Sequence, residues 1–185
     1  MHEPAPKRMT VDEFLTWAMT QPGRYELVDG EVVAISPERV GHGVVKAAVW
    51  LALKRGIEAA GLTCEALPDG MTVRIDERTT YEPDALVRCG KPLDRAAVEI
   101  PDPLVIVEVL SPSTQAVDLG GKLEGYFRVA SVRHYLIVKL ATRSVIHFRR
   151  ADDGTLRTSI LAETAALTLD PPGLEVPVAS FFDGL

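Results

Sequence analysis

The sequence predicts a single α/β domain, in which helices and strands in mixed order surround one core. Of its 185 residues, 46% are hydrophobic and 25% are charged, as in an ordinary globular domain. Segments with helical periodicity are interspersed with short β-prone segments, which is typical of mixed α and β domains. The chain has no internal repeat and no long linker. We therefore expect one domain over residues 10–185, preceded by a loose leader at residues 1–9.

The first elements are indicated by capping and turn residues. Thr10 stands three residues before Glu13, which is the capping-box spacing, and predicts a short helix that ends at Pro22-Gly23. Asp29-Gly30 between two β-prone runs is a strong hairpin signal. The proline-free segment that follows has apolar residues at helical spacing. These signals predict strands at 24–28 and 31–36 and a helix from His42 to Ala60, capped by Gly61.

The second half of the chain contains the expected central strand. The run 104–110, LVIVEVL, is nearly all apolar, as in a strand that is covered on both faces. A helix with one apolar side is predicted over 118–130. Shorter β-prone runs lie before and after these two elements. They predict strands at 63–67, 71–76, 81–87, 134–140, 143–149 and 155–162, and a short last turn near 178–182.

Charge and composition limit the functional classes. The formal net charge of −6 argues against indiscriminate coating of nucleic acid. Residues 122–157 carry eight basic and three acidic side chains, so a local basic face is an alternative to a plain solvated surface. The apolar runs are shorter than the ~18 residues of a membrane span, and the N-terminus lacks the apolar region of a secretory signal. Cys64 and Cys89 are thus expected to be unpaired thiols in the reducing cytoplasm.

Glu108 is the residue that points most directly to chemistry. An ionised carboxylate in a buried strand costs on the order of several kcal/mol unless something compensates it. Asp84 opens another apolar strand, and Glu26 lies in the first hairpin strand; carboxylates from neighbouring strands are ligands that Mg²⁺ prefers. Taken alone, Glu26 is also typical of a strand surface and Asp84 of a turn. Lys122 either returns to Glu108 or pairs with Asp118 in an exposed i,i+4 contact.

The order of these residues resembles that of one known family. Its motifs here are Glu26 in RYELVDGE, Pro83-Asp84 at a strand start, Glu108 in VIVEVLSPST, then Asp118, Lys122 and Tyr126 on a helix, and HYLIV. From about residue 10 to residue 148 this pattern is similar to the Uma-type (DUF820-like) restriction endonuclease family of the PD-(D/E)XK nuclease superfamily. The resemblance implies a restriction-endonuclease-like core, with a central mixed β-sheet flanked by helices, in which Asp84 and Glu108 bind the metal.

The chain departs from the superfamily pattern at two positions. The superfamily lysine two residues after the acidic ligand would fall at Leu110; in the family resembled it has moved to the following helix, where Lys122 stands. Lys139 occupies a strand end at which relatives commonly have an aspartate, so any role of that aspartate is lost. His42 matches a histidine at the start of the family's first long helix. It is expected either to contact a phosphate or to bind backbone at the helix start.

Together these residues predict a metal-dependent endonuclease. In this hypothesis Asp84 and Glu108 hold Mg²⁺, for which Mn²⁺ substitutes. Lys122 orients or deprotonates the attacking water, and Glu26 holds a second ion or an outer-shell water. Duplex DNA is the expected substrate and a homodimer the expected assembly, because two strands must be cut. The alternatives are a catalytically inactive nuclease-fold module that binds nucleic acid or a protein partner, and an enzyme that acts on RNA or a small phosphodiester.

Overall fold

A computed structural model describes residues 8–110 and 118–185. Within these residues it contains three α-helices and a central mixed sheet, which confirms the predicted fold class. Most of the predicted leader lies outside the described residues. Its last residue, Met9, is buried and donates its backbone N–H to the Gly30 carbonyl at 2.8 Å. Within the described residues, we find no helix with the length and apolar character of a membrane span.

The elements follow the predicted order, with one additional hairpin and with the strand predicted at 81–87 divided at residues 82–84 into two strands of different sheets. The helices are α1 (Val11–Ala18), α2 (Val40–Ala59) and α3 (Asp118–Arg128), and a 3-10 helix spans Val178–Phe182. The strands are β1 (Tyr25–Val28), β2 (Glu31–Ala34), β3 (Cys64–Pro68), β4 (Val73–Arg74), β5 (Thr80–Tyr81), β6 (Ala85–Cys89), β7 (Pro103–Leu110), β8 (His134–Lys139), β9 (Ser144–Arg150), β10 (Leu156–Ala162), β11 (Ala166–Leu169) and β12 (Leu174–Pro177). The β11–β12 hairpin has no counterpart among the predicted elements.

The predicted capping box and the predicted turn near the N-terminal end are both present in the structure. Thr10 caps α1, and the backbone N–H of Thr10 donates to the Glu13 carboxylate at 2.8 Å, so both halves of the capping box are present. Asp29 and Gly30 have φ of 50° and 82° and connect β1 to β2. A two-residue turn of this kind matches the twist of paired strands, which is why this dipeptide predicts a hairpin.

The main sheet places β7 in its interior. Its strand order is β10-β9-β8-β7-β6-β3, and the β7–β8 pair is parallel whereas the other pairs are antiparallel. Helix α3 lies between the two parallel strands in the chain, as a crossover connection requires. The predicted central strand is therefore correct, and its neighbours β6 and β8 supply the hydrogen bonds on both sides.

Side chains of β7 alternate between two apolar clusters. Val105, Val107 and Val109 pack in the cluster that contains the buried face of α2. Ile106 and Leu110 pack in the other cluster, with residues of α3 and β8. Because side chains alternate along a strand, Glu108 is directed to the same side as Ile106 and Leu110, toward α3. The sheet is thus covered on both faces, and Glu108 is only 8% exposed.

A smaller sheet brings the N-terminal hairpin to this region. Its order is β2-β1-β5-β4, and α1 packs on it through a cluster that includes Phe14 and Leu27. The unpredicted β11–β12 hairpin covers the cluster on the α2 side, where Leu174 and Val176 are buried. Its strands have strict in–out alternation over four residues each. A segment this short, split by Pro171-Pro172, is a weak strand signal.

The two cysteines correct one expectation. Cys64 and Cys89 were expected to be unpaired thiols, but they form a disulfide between β3 and β6. The two residues face each other directly in the antiparallel register, so their side chains lie on the same side of the sheet. The pairing follows from this register, which joins residues 25 positions apart and is not visible in the spacing of the cysteines.

A buried histidine pair predicts sensitivity to acid. His134 Nδ1 lies 2.9 Å from His147 Nε2, and burial lowers the pKa of each ring to about 4. Since the unfolded chain binds these protons near pH 6.5, the folded state is fully stable above that pH and loses stability as pH falls toward 4. Between pH 7 and pH 5 we expect a loss of about 2 kcal/mol per ring, because the titration of the folded state is not complete at pH 5. Urea unfolding at pH 7 and pH 5 measures it.

The control for this prediction is the double variant His134→Asn/His147→Gln, which removes both rings. Carboxylates also titrate in acid, but they do so in both proteins, so the difference between the two isolates the histidines. An equal loss of unfolding free energy in parent and variant between pH 7 and pH 5 would show that the pair is not responsible.

Candidate functional site

Glu108 is held by two side chains of α3. The Tyr126 hydroxyl donates to Glu108 Oε1 at 2.7 Å, and Lys122 Nζ lies 3.2 Å from the same oxygen. Lys122 and Tyr126 are four residues apart and so share one face of the helix. Gly125 lies between them, and a Cβ there would stand 2.8 Å from the Tyr81 ring, so only glycine permits this close approach of α3. The predicted contact of Lys122 with Glu108 is present; Asp118, the alternative partner, is described in its backbone only.

Glu26 shares the same lysine. Lys122 Nζ lies 2.9 Å from Glu26 Oε1, which also accepts the backbone N–H of Glu82 at 2.8 Å. Glu26 lies on β1 in the smaller sheet and Glu108 on β7 in the main sheet, so Lys122 joins the two sheets. Glu26 is 9% exposed, and its interpretation as a strand-surface residue is therefore wrong.

Asp84 lies directly before β6, beside Glu108. Its Oδ2 accepts the Val109 backbone N–H at 2.6 Å, and its own N–H donates to the Val107 carbonyl at 3.0 Å. These two bonds flank position 108 on the neighbouring strand, which fixes the Asp84 carboxylate next to it. Asp84 is 9% exposed.

Lys46 is a site residue that the sequence did not reveal. It lies on α2, is 6% exposed, and places Nζ 2.8 Å from Asp84 Oδ1 and 2.6 Å from Asp69 Oδ2. Glu38 is its third partner. The three carboxylates raise its pKa against the opposing effect of burial, so Lys46 is charged. Its only sequence signal is the position four residues after His42, which puts both side chains on one helix face.

The sequence also singles out His42, Leu110 and Lys139. His42 Nε2 contacts the Val109 carbonyl, and Nδ1 lies 3.3 Å from Glu38 Oε2. This backbone contact is to β7 and not to the start of α2, where the second interpretation of His42 expects it; the phosphate contact stays a prediction. Leu110, at the superfamily lysine position, is buried in the α3-side cluster. Lys139 ends β8 and does not line the pocket described next.

The candidate site is one pocket of about 330 Å³. Its lining includes Glu26, Asp84, Glu108, Lys122, His42 and Lys46. Arg24, Glu38 and Glu82 also contribute to its wall. Burial, together with the nearby charges of Asp84 and Glu26, raises the pKa of Glu108 to about 8 against the opposing effect of Lys122. Burial also raises the pKa of Glu82. The pocket therefore holds a carboxyl group that is protonated at neutral pH in this state.

The donor chemistry of the pocket fits a hard divalent cation. Its carboxylate oxygens are the ligands that Mg²⁺ and Mn²⁺ prefer. Among the described residues, however, no three His, Cys, Asp or Glu side chains are already grouped as a metal cluster. Lysine ammonium groups lie against Asp84 and Glu108 instead. Among contacts from the described residues, those to Glu108 both end on Oε1, so Oε2 is the oxygen to which an ion would bind.

The basic segment 122–157 contributes one lysine to the pocket, Lys122. Several of its arginines are engaged elsewhere: Arg128 with Glu124 and Asp76, Arg133 with Asp152, and Arg143 with Glu163. These ion pairs favour the solvated-surface interpretation over a single basic face.

Comparisons with known proteins give a matching family, similar sequences and a similar fold. The model of the Uma2 family, described as "putative restriction endonuclease", matches residues 11–179. Two similar proteins come from Synechocystis sp. and are named only as uncharacterized: slr1290 is 29% identical over 184 residues, covering 98% of this chain and 95% of its own, and sll1609 is 24% identical over 165 residues, covering 87% and 92%. A crystal structure titled as a putative nuclease belonging to DUF820, from Anabaena variabilis, has a TM-score of 0.73 at 14% identity, covering 94% of this chain and 97% of that one. At this identity the last match supports the fold alone.

Proposed function

This chain belongs to the Uma2 family, and from that premise we propose that it is a metal-dependent endonuclease that hydrolyses phosphodiester bonds in duplex DNA. One observation carries the proposal. Glu108, buried in the main sheet, converges with Asp84, Glu26 and Lys122 on a single pocket, although the four residues come from four different elements or their edges. A buried cluster of this composition is costly to the fold, which favours a functional over a structural role.

Asp84 and Glu108 are the proposed metal ligands. The backbone N–H of Val109 holds Asp84, and Tyr126 holds Glu108, so both carboxylates are oriented before an ion arrives. Mg²⁺, or Mn²⁺ in its place, would polarise a water molecule and neutralise charge on the phosphate when bound there. Glu26 is placed to hold an outer-shell water or a second ion.

Lys122 is the proposed partner of the attacking water. Its ammonium group lies between Glu26 and Glu108, and it also lies over the Tyr81 ring at 5.4 Å from the ring centroid. The contacts with Glu26 and Glu108 keep the ammonium group at the pocket wall. From there it orients the water and offsets the negative charge that develops on the phosphoryl oxygens.

A cleavage panel tests the proposed function. Labelled duplex DNA, single-stranded DNA and RNA are incubated with the protein and Mg²⁺ or Mn²⁺, with EDTA as the control. We expect metal-dependent cleavage that is fastest on duplex DNA. Cleavage of RNA alone would move the proposal to a ribonuclease, and cleavage that is unaffected by EDTA would contradict the metal.

A second candidate function is a nuclease-fold module that binds nucleic acid or a protein partner without cleaving. Two observations favour it: the lysine lies on a helix rather than on the ligand's own strand, and Asp84 and Glu108 both contact lysines. Calorimetry separates the two candidates. Mg²⁺ or Mn²⁺ binding that is lost in a Glu108 variant supports the enzyme, whereas its absence in the parent protein supports the binding module.

We also propose a homodimer, because cutting two antiparallel strands needs two active sites or two successive events. Light scattering coupled to size-exclusion chromatography, with and without duplex DNA, measures the mass. A protein that cuts both strands in one event while remaining a monomer on DNA would contradict this assembly.

Replacing Lys122 by methionine is expected to lower the cleavage rate about 10²-fold at saturating metal, because the water and the phosphate lose their cation. The rate is measured under single-turnover conditions with duplex DNA. Lys91→Met, at an exposed lysine far from the pocket lining, is the matched control and should cut as the parent does. A Lys122→Met variant within twofold of the parent rate would remove Lys122 from the mechanism.

A further inference from the structure

Lys46 is the buried cation of the pocket that the proposed mechanism does not use. Its side chain is 7% exposed, and its ammonium group contacts three carboxylates, those of Glu38, Asp69 and Asp84. Three carboxylates around one ammonium group resemble the set of ligands that a metal cation would have in the same place. One of the three, Asp84, is a proposed metal ligand.

We propose that Lys46 is a resident counter-cation of Asp84, which stabilises the metal-free site and weakens metal binding to it. This inference rests on the proposed metal site. A positive charge 2.8 Å from a ligand oxygen repels a divalent ion that approaches the same carboxylate. Lys46 therefore opposes the ion directly, in addition to neutralising the charge that attracts it.

Asp84 does not depend on Lys46 alone for its orientation. Its Oδ2 accepts the Val109 N–H at 2.6 Å, so a backbone donor also holds the carboxylate. Asp69 and Glu38 would also retain a cation, since Arg24 Nη1 lies 2.9 Å from Asp69 and 3.9 Å from Glu38. Of the three carboxylates, Asp84 thus loses the most neighbouring positive charge when Lys46 is removed. It is therefore the carboxylate that an ion would then bind more tightly.

The experiment measures metal binding and apo stability in Lys46→Met. We expect the dissociation constant for Mn²⁺, from calorimetry, to fall about tenfold, and the Tm in EDTA to fall as well. The Tm gain on adding Mn²⁺ should then exceed the gain of the parent protein. Lys54→Met, an exposed lysine two turns further along α2, is the matched control and should leave Mn²⁺ binding unchanged.

Two outcomes overturn the inference. A folded Lys46→Met protein that binds Mn²⁺ within twofold of the parent, or more weakly, would show that Lys46 does not oppose the ion. If this variant fails to fold, Lys46→Gln, which retains hydrogen bonding but not the charge, is measured in the same way. Failure of the proposed function has a different signature, because neither the parent nor any Lys46 variant would then bind Mn²⁺ in an Asp84-dependent manner.

Discussion

Replacing Glu108 by glutamine is expected to lower metal-dependent DNA cleavage by about 10³-fold while leaving the fold and its stability close to those of the parent. The loss follows because an amide oxygen is a poor substitute for a carboxylate ligand on Mg²⁺. Stability is retained because burial raises the pKa of Glu108 to about 8, so that the metal-free carboxyl is already neutral at pH 7. Glutamine has nearly the same shape and charge as this protonated form.

The measurement pairs single-turnover cleavage with thermal unfolding in EDTA. Glu175→Gln, at an exposed glutamate on β12, is the control and should alter neither quantity. Asp84→Asn should lose as much activity, since Asp84 is the second proposed ligand. If Glu108→Gln and Asp84→Asn both cut as well as the parent, the active-site assignment is wrong.

Metal affinity is expected to rise about tenfold per pH unit from pH 5 to pH 8 and to level off above that, a change of about 10³-fold in all. The ion binds the ionised carboxylate, and burial raises the pKa of Glu108 to about 8, so below that pH a proton must leave before the metal can bind. The sign is therefore fixed: acid weakens binding, and each bound ion releases close to one proton at neutral pH.

Calorimetry with Mn²⁺ at pH 6, 7 and 8 measures this dependence. Repeating the titration at pH 7 in buffers of different ionisation enthalpy gives the number of protons released. The Glu108→Gln protein is the control, because any residual binding through Asp84 should lose this proton coupling. An affinity that is flat between pH 6 and pH 8 would show that Glu108 does not exchange its proton for the ion.

Much of the architecture was predictable because its signals are local. The Thr10–Glu13 capping box forms α1, the Asp29-Gly30 turn forms the first hairpin, and the apolar run around Glu108 forms an interior strand of the sheet. An acidic residue within that run was itself a sufficient reason to expect a partner. The structure supplies two partners from α3, Lys122 and Tyr126.

Other features depended on the assembled sheets. In the sequence Lys46 has the appearance of an ordinary helix residue, and its ion pairs form only because α2 packs beside Asp69 and Asp84. Cys64 and Cys89 pair only because β3 and β6 are adjacent and in that register.

The sequence by itself determined the class of fold, most of its elements and four of the charged residues that line the pocket, Glu26, Asp84, Glu108 and Lys122. Capping, turn geometry and side-chain periodicity act over a few residues, so a single chain displays them directly. Only the tertiary structure decided which charges are neighbours, such as Lys122 and Glu26, which are 96 positions apart. Such contacts follow from strand order and register, which depend on the packing of the whole core rather than on any local run of residues.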